Sequence, residues 1–357
     1  MFIEMAPMEG ITNYIYRQVF AKHFGGIDHY YTPFISPNQT ESLQSREWKE
    51  LAPENNQGLV VIPQILTKNP DHFLWAAHQA ASLGYEEVNY NLGYPSGTVV
   101  SKGKGAGMLR NTHYLDQVLE KIYGHCPIRV SIKTRIGVAD PAEFEDILAV
   151  FQKYPLARLI IHPRVQKEFY KGTVHKEIYQ LAADYAASTG SGEPYPSGSD
   201  AGSKGLCLVF NGNLATIEDC QNILKAFPST GGLMLGRGLL TDPALALKLK
   251  AWKKDPENAA SKDFSAPSAC RLTMDAFASF HEDLVRRNSE VLQGSHQVLH
   301  RLKEFWPYWY VNFTNGEKYW KRVRKARYFS DYQDTVSAII RQEEIIPGAH
   351  FQAYSIR

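Results

Sequence analysis

Residues 87–97 read Glu-Val-Asn-Tyr-Asn-Leu-Gly-Tyr-Pro-Ser-Gly, a strand-like run that breaks into a turn at Gly and Pro. A helical pattern precedes it at 70–83, and another follows at 114–123. The same alternation runs from the first residue to about Leu249. It predicts eight strands, at residues 2–7, 29–34, 60–66, 87–92, 129–134, 158–162, 206–211 and 232–235.

The order of these segments indicates the fold class. Helical segments of roughly ten or more residues are expected after each strand, as at 141–154 and 215–227. Alternating strands and helices predict a parallel α/β sheet, and eight units in about 250 residues match a (β/α)8 TIM barrel. A doubly wound open sheet is the alternative, but it normally has fewer units and a Gly-rich turn after its first strand.

The chain divides by composition. We predict a barrel over 1–252, with a flexible surface loop rich in Ser, Gly and Pro at 188–204. Residues 253–267 have the composition of a linker, and 268–357 have helical periodicity, which predicts a small all-helical domain.

Composition excludes several classes of protein. With 44% hydrophobic and 21% charged residues, the 357-residue chain has the composition of a soluble globular protein. No apolar run approaches the ~18 residues of a membrane span, and residues 1–7 lack the features of a secretory signal. The four cysteines are far apart, without the spacing of a metal site. We expect a cytoplasmic monomer that needs neither membrane nor metal.

Polar residues and glycines collect where the predicted strands end. In a TIM barrel these positions form the active-site face. One Lys or His there is usually solvated or satisfied locally, so the convergence of many is the stronger signal. The set comprises Pro7, Met8, Gln64, Asn91, Tyr94, Lys133, His162, Asn211, Gly212, Asn213, Gly236 and Arg237.

Two groups within this set indicate a ligand. Glycines after strands seven and eight allow backbone N–H groups to approach a phosphate, which Arg237 can neutralise. Lys133 and Gln64 suit a flat polar ring, because one offers a positive charge and the other both a donor and an acceptor. A phosphate site joined to a ring site indicates FMN. A generic sugar-phosphate enzyme, which would also use loops seven and eight, is the alternative.

Several motifs together resemble the tRNA-dihydrouridine synthases, in order and spacing over nearly the whole chain. Residues 91–96, Asn-Leu-Gly-Tyr-Pro-Ser, are similar to that family's N-L-G-C-P-S signature. The other matching segments are Ala-Pro-Met-Glu-Gly-Ile-Thr at 6–12, Ser-Ile-Lys-Thr-Arg-Ile-Gly at 131–137, His-Pro-Arg at 162–164, Asn-Gly-Asn at 211–213, Gly-Arg-Gly at 236–238 and Arg-Leu-Lys-Glu at 301–304.

The resemblance implies an FMN-dependent oxidoreductase with NADPH as the probable reductant. Reduced FMN would give hydride to C6 of a uridine in tRNA or other structured RNA, and an acid would protonate C5, which yields 5,6-dihydrouridine. The target base would have to be flipped into the pocket. Asn91 and Arg135 would meet the substrate. The residues implied to bind FMN are Pro7, Met8, Gln64, Lys133, His162, Asn211, Gly212, Asn213, Gly236 and Arg237.

Tyr94 stands where the resemblance places a catalytic cysteine. A phenol near pKa ~10 is a weaker acid than a thiol near ~8.5, and its ring is much larger. Three interpretations stay open. Tyr94 is the acid of a slower uridine reductase, or the chain binds FMN and RNA without efficient catalysis, or it reduces a smaller unsaturated substrate.

A basic segment near the C-terminus favours RNA. Residues 296–327 hold eight Lys or Arg against two Glu, a net charge of +6, whereas the rest of the chain carries −4. We expect Trp320 and Val323 to anchor a helix there, and its basic side to read phosphates. A merely solvated face is the alternative. The predicted RNA contacts are Lys102, Lys104, Lys318, Lys321, Arg322 and Lys325.

Overall fold

A computed structural model describes residues 1–189, 205–255 and 270–350. Most of the predicted loop at 188–204 and most of the predicted linker at 253–267 lie outside these ranges. None of the helices in the described ranges is long and apolar enough to cross a membrane.

The predicted strands are present, each within two or three residues of its expected ends. All neighbouring pairs in the registers run parallel. All six residues of the run at 87–92 are buried, as in a sheet that is covered on both faces. The strands are β1 Phe2–Met5, β2 His29–Tyr31, β3 Val61–Ile62, β4 Gln64–Ile65, β5 Glu87–Leu92, β6 Arg129–Arg135, β7 Leu159–His162, β8 Leu208–Phe210 and β9 Thr230–Leu235.

The sheet forms a nearly closed barrel. Its order is β3-β2-β1-β9-β8-β7-β6-β5-β4, so it begins and ends on two halves of one predicted strand. Pro63 separates the halves because it has no N–H to give to the ladder. The continuation of β2 pairs with β4 through Ile35 and Ile65, which closes the ring. The TIM-barrel prediction is confirmed.

The helices follow the strands as predicted, with two exceptions. The helix after β2 has 7 residues and the helix after β9 has 5, so the expectation of ten or more residues after every strand is wrong there. The helices are α1 Tyr14–His23, α2 Ser45–Leu51, α3 Pro70–Ser82, α4 Gly97–Val100, α5 Thr112–His125, α6 Glu143–Phe151, α7 Lys176–Thr189, α8 Ile217–Ala226, α9 Arg237–Thr241, α10 Leu245–Lys254, α11 Met274–Val291, α12 Ser295–Lys303, α13 Trp306–Trp309, α14 Gly316–Lys325 and α15 Phe329–Gln342.

Local sequence fixes where the long helices begin. Asn69 caps α3 by accepting the N–H of Asp71 at 2.8 Å, and Pro70 occupies the first turn, where no donor is needed. Asn111 caps α5 in the same way, by accepting the N–H of Tyr114 at 2.9 Å. Each cap ends the preceding loop at a defined residue and so sets how the next helix leaves the barrel rim.

The amino-terminal end of the barrel is held by a buried ion cluster. The guanidinium of Arg158 lies 2.6 Å from Glu4 and 2.8 Å from Glu87, and all three residues are buried. Burial alone would raise the pKa of Glu4, but Arg158 and His29 hold it below its ordinary value. Charges at this face of a barrel serve stability, because the chemistry belongs to the opposite face.

The described chain forms two compact units that do not follow chain order. One comprises Met1–Pro7, Asp28–Asn213 and Gln221–Met234, and thus nearly all of the strands. The other comprises Met8–Ile27, Leu214–Cys220 and Leu235–Arg357. The second unit therefore joins α1, α9 and α10 to the helices at the C-terminus. The domain limits derived from composition, 1–252 and 268–357, stay a prediction.

Inside the second unit, α1 packs on α11. The ring of Tyr16 meets Phe280 edge-on at 5.9 Å and stacks on Phe305 at 5.2 Å. At the edge of this contact, Asp283 accepts a hydrogen bond from Lys22 at 2.5 Å and lies 2.8 Å from His23. Aromatic packing, bordered by charge, therefore fastens a helix near the N-terminus to helices some 260 residues later.

A buried polar chain ties α11, α13 and α15 together. The indole N–H of Trp306 donates to the hydroxyl of Tyr332 at 3.1 Å, and that hydroxyl lies 2.6 Å from Nε2 of His281. Because the indole can only donate, the hydroxyl donates onward and the His281 ring accepts as a neutral imidazole. Burial lowers the pKa of His281 to about 4.

This buried histidine predicts acid-sensitive stability. Its folded-state pKa of about 4 lies below the ordinary 6.5, so the unfolded chain binds the proton first as the pH falls. We expect a contribution of about 3 kcal/mol to be present above pH ~6.5 and lost progressively towards pH 4. Urea unfolding of His281→Phe should give a lower free energy at pH 7 but a shallower pH dependence in that range. Identical slopes for the two proteins would contradict the prediction.

Candidate active site

A chain of buried polar side chains, three amides and a hydroxyl, crosses β4, β5 and β6. Gln64 donates to Asn89 at 2.8 Å and accepts from the side-chain nitrogen of Asn91 at 2.7 Å, and Asn89 donates to Ser131 at 2.9 Å. The structure thus brings together the predicted Gln64 and Asn91. Asn89 was missed, although it lies two residues before Asn91 and therefore on the same face of β5. Asn89, itself hydrogen-bonded to Ser131, orients the amide of Gln64.

Asn91 also fixes the turn that follows β5. Its side-chain oxygen accepts the backbone N–H of Gly93 at 3.1 Å and of Tyr94 at 2.9 Å. On the other side of the turn, the carbonyl of Tyr94 accepts the N–H of Ala106 at 3.2 Å. Gly105 has φ +57°, and a Cβ there would lie 2.7 Å from that carbonyl, so only glycine suits this close return of the chain.

Two further side chains hold the same turn. Nε of Arg135 donates to the carbonyl of Gly93 at 3.0 Å, and Gln166 donates to the carbonyl of Pro95 at 2.7 Å. Arg135 is 1% exposed and also donates to the carbonyl of Val165 at 3.1 Å. The structure therefore gives Arg135 and Gln166 a positioning role. Contact of Arg135 with substrate stays a prediction.

The ring of Tyr94 is half-buried and lies against Phe34. The ring centroids are 4.9 Å apart and the planes meet at 63°, a T-shaped contact. Phe34 follows β2 and was not among the predicted site residues. Edge-to-face pairs of this kind add about 0.5–1.5 kcal/mol beyond burial, so the pair favours one orientation of the Tyr94 side chain.

Lys133 pairs in register with Asn91 across β5 and β6. Its ammonium group is half-buried and has no hydrogen-bond or ion-pair partner among the described residues. Burial, and to a smaller extent the charge of Arg135, lowers the pKa of Lys133 to about 7. A cation buried without a partner at a strand end suits an electron-rich ligand atom, and the residues present therefore fit the predicted flavin ring.

His162 is fixed in one tautomer by its neighbour. The guanidinium of Arg164 lies 3.0 Å from Nε2 of His162 and can only donate, so Nε2 accepts and Nδ1 carries the proton. Arg164 also donates to the side chain of Asn213 at 3.2 Å. The predicted His162 and Asn213 thus share a buried arginine that was seen only as part of a motif.

The predicted residues after β8 contact neighbouring parts of the barrel. Asn211 donates to the carbonyl of Met234 at 2.9 Å, which joins the ends of β8 and β9. A Cβ on Gly212 would lie 2.6 Å from the ring of Phe210, so a side chain does not fit without movement. Contact of Asn211, Gly212 and Asn213 with a phosphate stays a prediction, as does contact of the half-buried Pro7 with the flavin.

Lys102 and Lys104 lie in the glycine-rich segment beside Tyr94, and a third lysine joins them. Burial, followed by the charges of Lys102 and Lys68, lowers the pKa of Lys104, whose ammonium donates to Ser36 at 3.3 Å. Like charges at this spacing are stabilised by an anion. Lys68 was missed because it follows β4, about 35 residues earlier in the chain.

The remaining predicted flavin contacts belong to the second unit. Met8 begins a turn in which its N–H donates to the hydroxyl of Thr12 at 2.8 Å. Gly10, at φ +77°, gives its carbonyl to Arg301, which also donates to Glu304 at 2.7 Å. Gly236 and Arg237 begin the short α9 and are half-buried. The assignment of Met8, Gly236 and Arg237 to FMN stays a prediction.

The predicted basic stripe lies on α14, with every member exposed. The members are Lys318, Lys321, Arg322 and Lys325. Tyr319 and Val323 bury the opposite side, whereas Trp320 is half-buried and stacks on Tyr310 at 6.3 Å. The prediction that Val323 anchors the helix is therefore confirmed, and the second fully buried anchor is Tyr319, not Trp320. A surface depression of about 630 Å³ borders the start of the helix, next to Lys318 and Lys321.

Cys126, Cys207 and Cys220 do not replace the cysteine expected at position 94. Cys207 and Cys220 are buried, and burial raises the pKa of Cys207 to about 12. Cys126, half-buried after α5, has its pKa raised by burial as well. Neither Cys126 nor Cys207 lies at the carboxyl end of a strand, so Tyr94 is the group to consider at the acid position.

A parallel barrel that gathers polar side chains such as Asn91 and Lys133 towards the carboxyl ends of its strands has the architecture of the TIM-barrel enzymes. The sequence model described as "Dihydrouridine synthase (Dus)" matches residues 4–188. This chain belongs to the dihydrouridine synthase family, whose members are oxidoreductases.

Several curated proteins are similar to this chain in sequence. A probable tRNA-dihydrouridine synthase of Staphylococcus aureus is 25% identical over 290 residues, which are 80% of this chain and 80% of the relative. Probable tRNA-dihydrouridine synthase 2 of Bacillus subtilis is 28% identical over 298 residues, 80% of this chain and 81% of the relative. The tRNA-dihydrouridine(16) synthase of Cupriavidus necator is 26% identical over 254 residues, 69% of this chain and 72% of the relative.

Solved structures align more loosely. Morphinone reductase covers 75% of this chain and 88% of its own, with a TM-score of 0.47 and 11% identity. Phosphoribosyl anthranilate isomerase from Thermococcus kodakaraensis covers 71% and 99%, with a TM-score of 0.42 and 14% identity. Likenesses of this kind decide neither substrate nor cofactor.

The fastening of the turn at 93–95 predicts the effect of removing Arg135. Arg135→Met keeps most of the side-chain volume but leaves two buried carbonyls without their donor, at roughly 1–3 kcal/mol each. We expect urea unfolding to show a loss of at least about 2 kcal/mol. Arg129→Met is the matched control, because Arg129 lies on the same strand in an exposed pair with Glu86. Equal unfolding midpoints for the two variants would exclude the positioning role.

Proposed function

We propose that this chain binds FMN at the carboxyl end of its barrel and reduces uridine to 5,6-dihydrouridine in tRNA or another structured RNA, with NADPH as reductant. Membership of the family supports the reaction class. The observation that carries the proposal is Lys133, a half-buried ammonium beside Asn91 that lacks a partner among the described residues. An electron-rich flavin ring is the ligand that this position suits.

The chain's own residues divide the work. Asn91 donates one side-chain N–H to Gln64, and Gln64 donates one to Asn89. The second N–H of each amide can then donate to a carbonyl of the ring. When bound, FMN supplies the hydride for the C5–C6 double bond of uracil. His162 carries its proton on Nδ1, which makes that nitrogen a fixed donor. Lys133, with a pKa of about 7, gains its charge as an electron-rich ligand arrives.

Tyr94 would supply the proton that completes the reduction. The pKa of a phenol is about 1.5 units higher than that of a thiol, which makes it a weaker proton donor by roughly 2 kcal/mol. Only part of that difference reaches the barrier. The turn that carries residue 94 is held through its backbone, so the hydroxyl is delivered from a fixed position. The proposal therefore implies a slower enzyme than one with cysteine.

A second candidate is an RNA-binding flavoprotein without efficient reduction. The contact between Tyr94 and Phe34 favours it, because the tyrosine ring takes up far more space than a cysteine and is held by an aromatic neighbour. In this case the same scaffold receives RNA, but the ring stands where uracil has to enter.

RNA binding itself is proposed for two surfaces. The exposed stripe on α14 offers four cations, although Lys321 lies 2.9 Å from Glu317 in a pair that is more than 60% exposed on both sides. Such a pair is worth little and yields readily to a phosphate. Lys68, Lys102 and Lys104 form the second surface, beside the turn of Tyr94, where the like charges favour an anion. Phosphate contacts at each surface would help to position a folded RNA.

Lys133 predicts a pH-dependent affinity for FMN. If the ring raises the pKa of Lys133 from about 7, binding takes up a proton. Affinity should then fall from pH 7 to pH 9, by up to about tenfold per unit, whereas the phosphate of FMN is already dianionic. Titration of FMN into flavin-free protein, followed by fluorescence, measures this. Lys133→Met should bind more weakly with a flat profile, and a flat profile in the unmodified chain would exclude the assignment.

The reaction is tested by dihydrouridine formation in unmodified tRNA with FMN and NADPH, measured by nucleoside mass spectrometry. We expect product from the unmodified chain and faster product from Tyr94→Cys. Tyr94→Phe keeps the ring but removes the acid, so its rate should fall by at least about a hundredfold.

Three outcomes separate the candidates. Product from the unmodified chain that is lost in Tyr94→Phe identifies the phenol as the acid. Product from Tyr94→Cys alone supports the second candidate, because the scaffold then receives RNA and only residue 94 withholds the reaction. If none of the three makes product with tRNA from the source cell, uridine reduction is excluded.

A further inference from the structure

Two adjacent aromatic residues project from the loop that follows β7. Phe169 is 45% exposed and Tyr170 is 44% exposed. Phe169 has φ +51° and ψ −107°, a strained conformation that non-glycine residues rarely adopt. Such strain persists only where the surrounding structure enforces it, and it is common at binding sites.

The loop is held firmly in this conformation. Glu168 accepts the N–H of Val165 at 2.9 Å and lies 3.0 Å from His175. Arg164 donates to the carbonyl of Gly172 at 2.7 Å. A Cβ on Gly172 would lie 2.5 Å from the side chain of Glu168, so the loop closes tightly at its end. The aromatic pair is therefore presented on a rigid support, and little ordering is left to be lost on binding.

Tyr170 lies over the candidate active site. Its ring centroid is 5.3 Å from the guanidinium carbon of Arg135 and 5.9 Å from the ring centroid of His162. Both of these residues end strands and pair in register, and Arg135 also holds the turn of Tyr94. The exposed aromatic pair thus stands at the rim of the same end of the barrel.

The charge around the pair is positive. Lys167 and Lys171 flank it and are both exposed. Glu168, the acidic residue between them, is directed to Val165 and His175 within the loop. Aromatic rings flanked by lysines are typical of surfaces that stack unpaired bases and neutralise the phosphates beside them.

We propose that Tyr170, supported by Phe169, is a stacking platform for an unpaired base of the RNA next to the uridine that enters the site. This rests on the proposed function and extends it to a second nucleotide. A uridine that is flipped out of a fold leaves its neighbour unstacked, and an exposed ring at the rim replaces the lost stacking. Lys167 and Lys171 would then meet the flanking phosphates.

The test is the affinity of the FMN-loaded full chain for a ten-nucleotide oligouridine at two salt concentrations. Loss of one stacked base in Tyr170→Ala should weaken binding by roughly tenfold to a hundredfold. The salt dependence should stay as in the unmodified chain, because no charge is removed. Tyr170→Phe keeps the ring and should bind within about twofold of the unmodified chain.

Tyr170→Leu keeps a large apolar side chain but removes the ring, so it distinguishes base stacking from burial of apolar surface. It also serves as the second variant if Tyr170→Ala changes the conformation of the loop. Binding by Tyr170→Leu or Tyr170→Ala that equals the unmodified chain overturns the platform, and so does a loss in Tyr170→Phe as large as in Tyr170→Ala. Dihydrouridine formation in tRNA by the unmodified chain or Tyr94→Cys, measured in parallel, separates the two proposals. Product with unchanged oligouridine binding in Tyr170→Ala removes only the platform, whereas no product and no RNA binding removes both.

Discussion

The position of residue 94 depends on hydrogen bonds that its own side chain does not make. Asn91 holds the N–H groups of the turn, while Arg135 and Gln166 hold its carbonyls. Each of these partners is itself anchored, Asn91 by Gln64 and Arg135 by a second carbonyl. The turn is therefore built by its surroundings. Because these bonds go to backbone groups, the shape of the turn does not depend on the side chain of residue 94, which bears on chemistry and cavity size before it bears on folding.

Charge is distributed unevenly along the barrel. At the amino-terminal end, Glu4 and Glu87 share Arg158 in a buried cluster whose charges are paired. At the carboxyl end, burial lowers the pKa values of Lys133 and Lys104, and the charges of nearby basic residues lower them further. A cluster with paired charges stabilises the fold, whereas cations crowded together are stabilised by an anionic ligand. The contrast between the two ends supports the carboxyl end as the binding end.

The sequence predicted the barrel well because strand and helix periodicity is a local signal. It did not predict the split of one strand at Pro63, whose missing N–H interrupts the ladder, or the short α9. Among the site residues, Gln64 and Asn91 were found from their places at strand ends. Asn89, Phe34 and Gln166 were missed because their contribution depends on register and loop closure, which residue type alone does not reveal. Arg135 was found, but the hydrogen bonds described for it above go to the backbone carbonyls of Gly93 and Val165.

The grouping of α1 with the C-terminal helices has a consequence for how this protein can be divided. Tyr16 of α1 packs on Phe280 and Phe305, and Lys22 bonds to Asp283. The helical part is therefore no detachable tail, since a chain cut after α10 would expose an aromatic face close to its own beginning. Deletion, fusion or exchange of modules at that point would therefore remove part of the aromatic core that Tyr16 forms with Phe280 and Phe305.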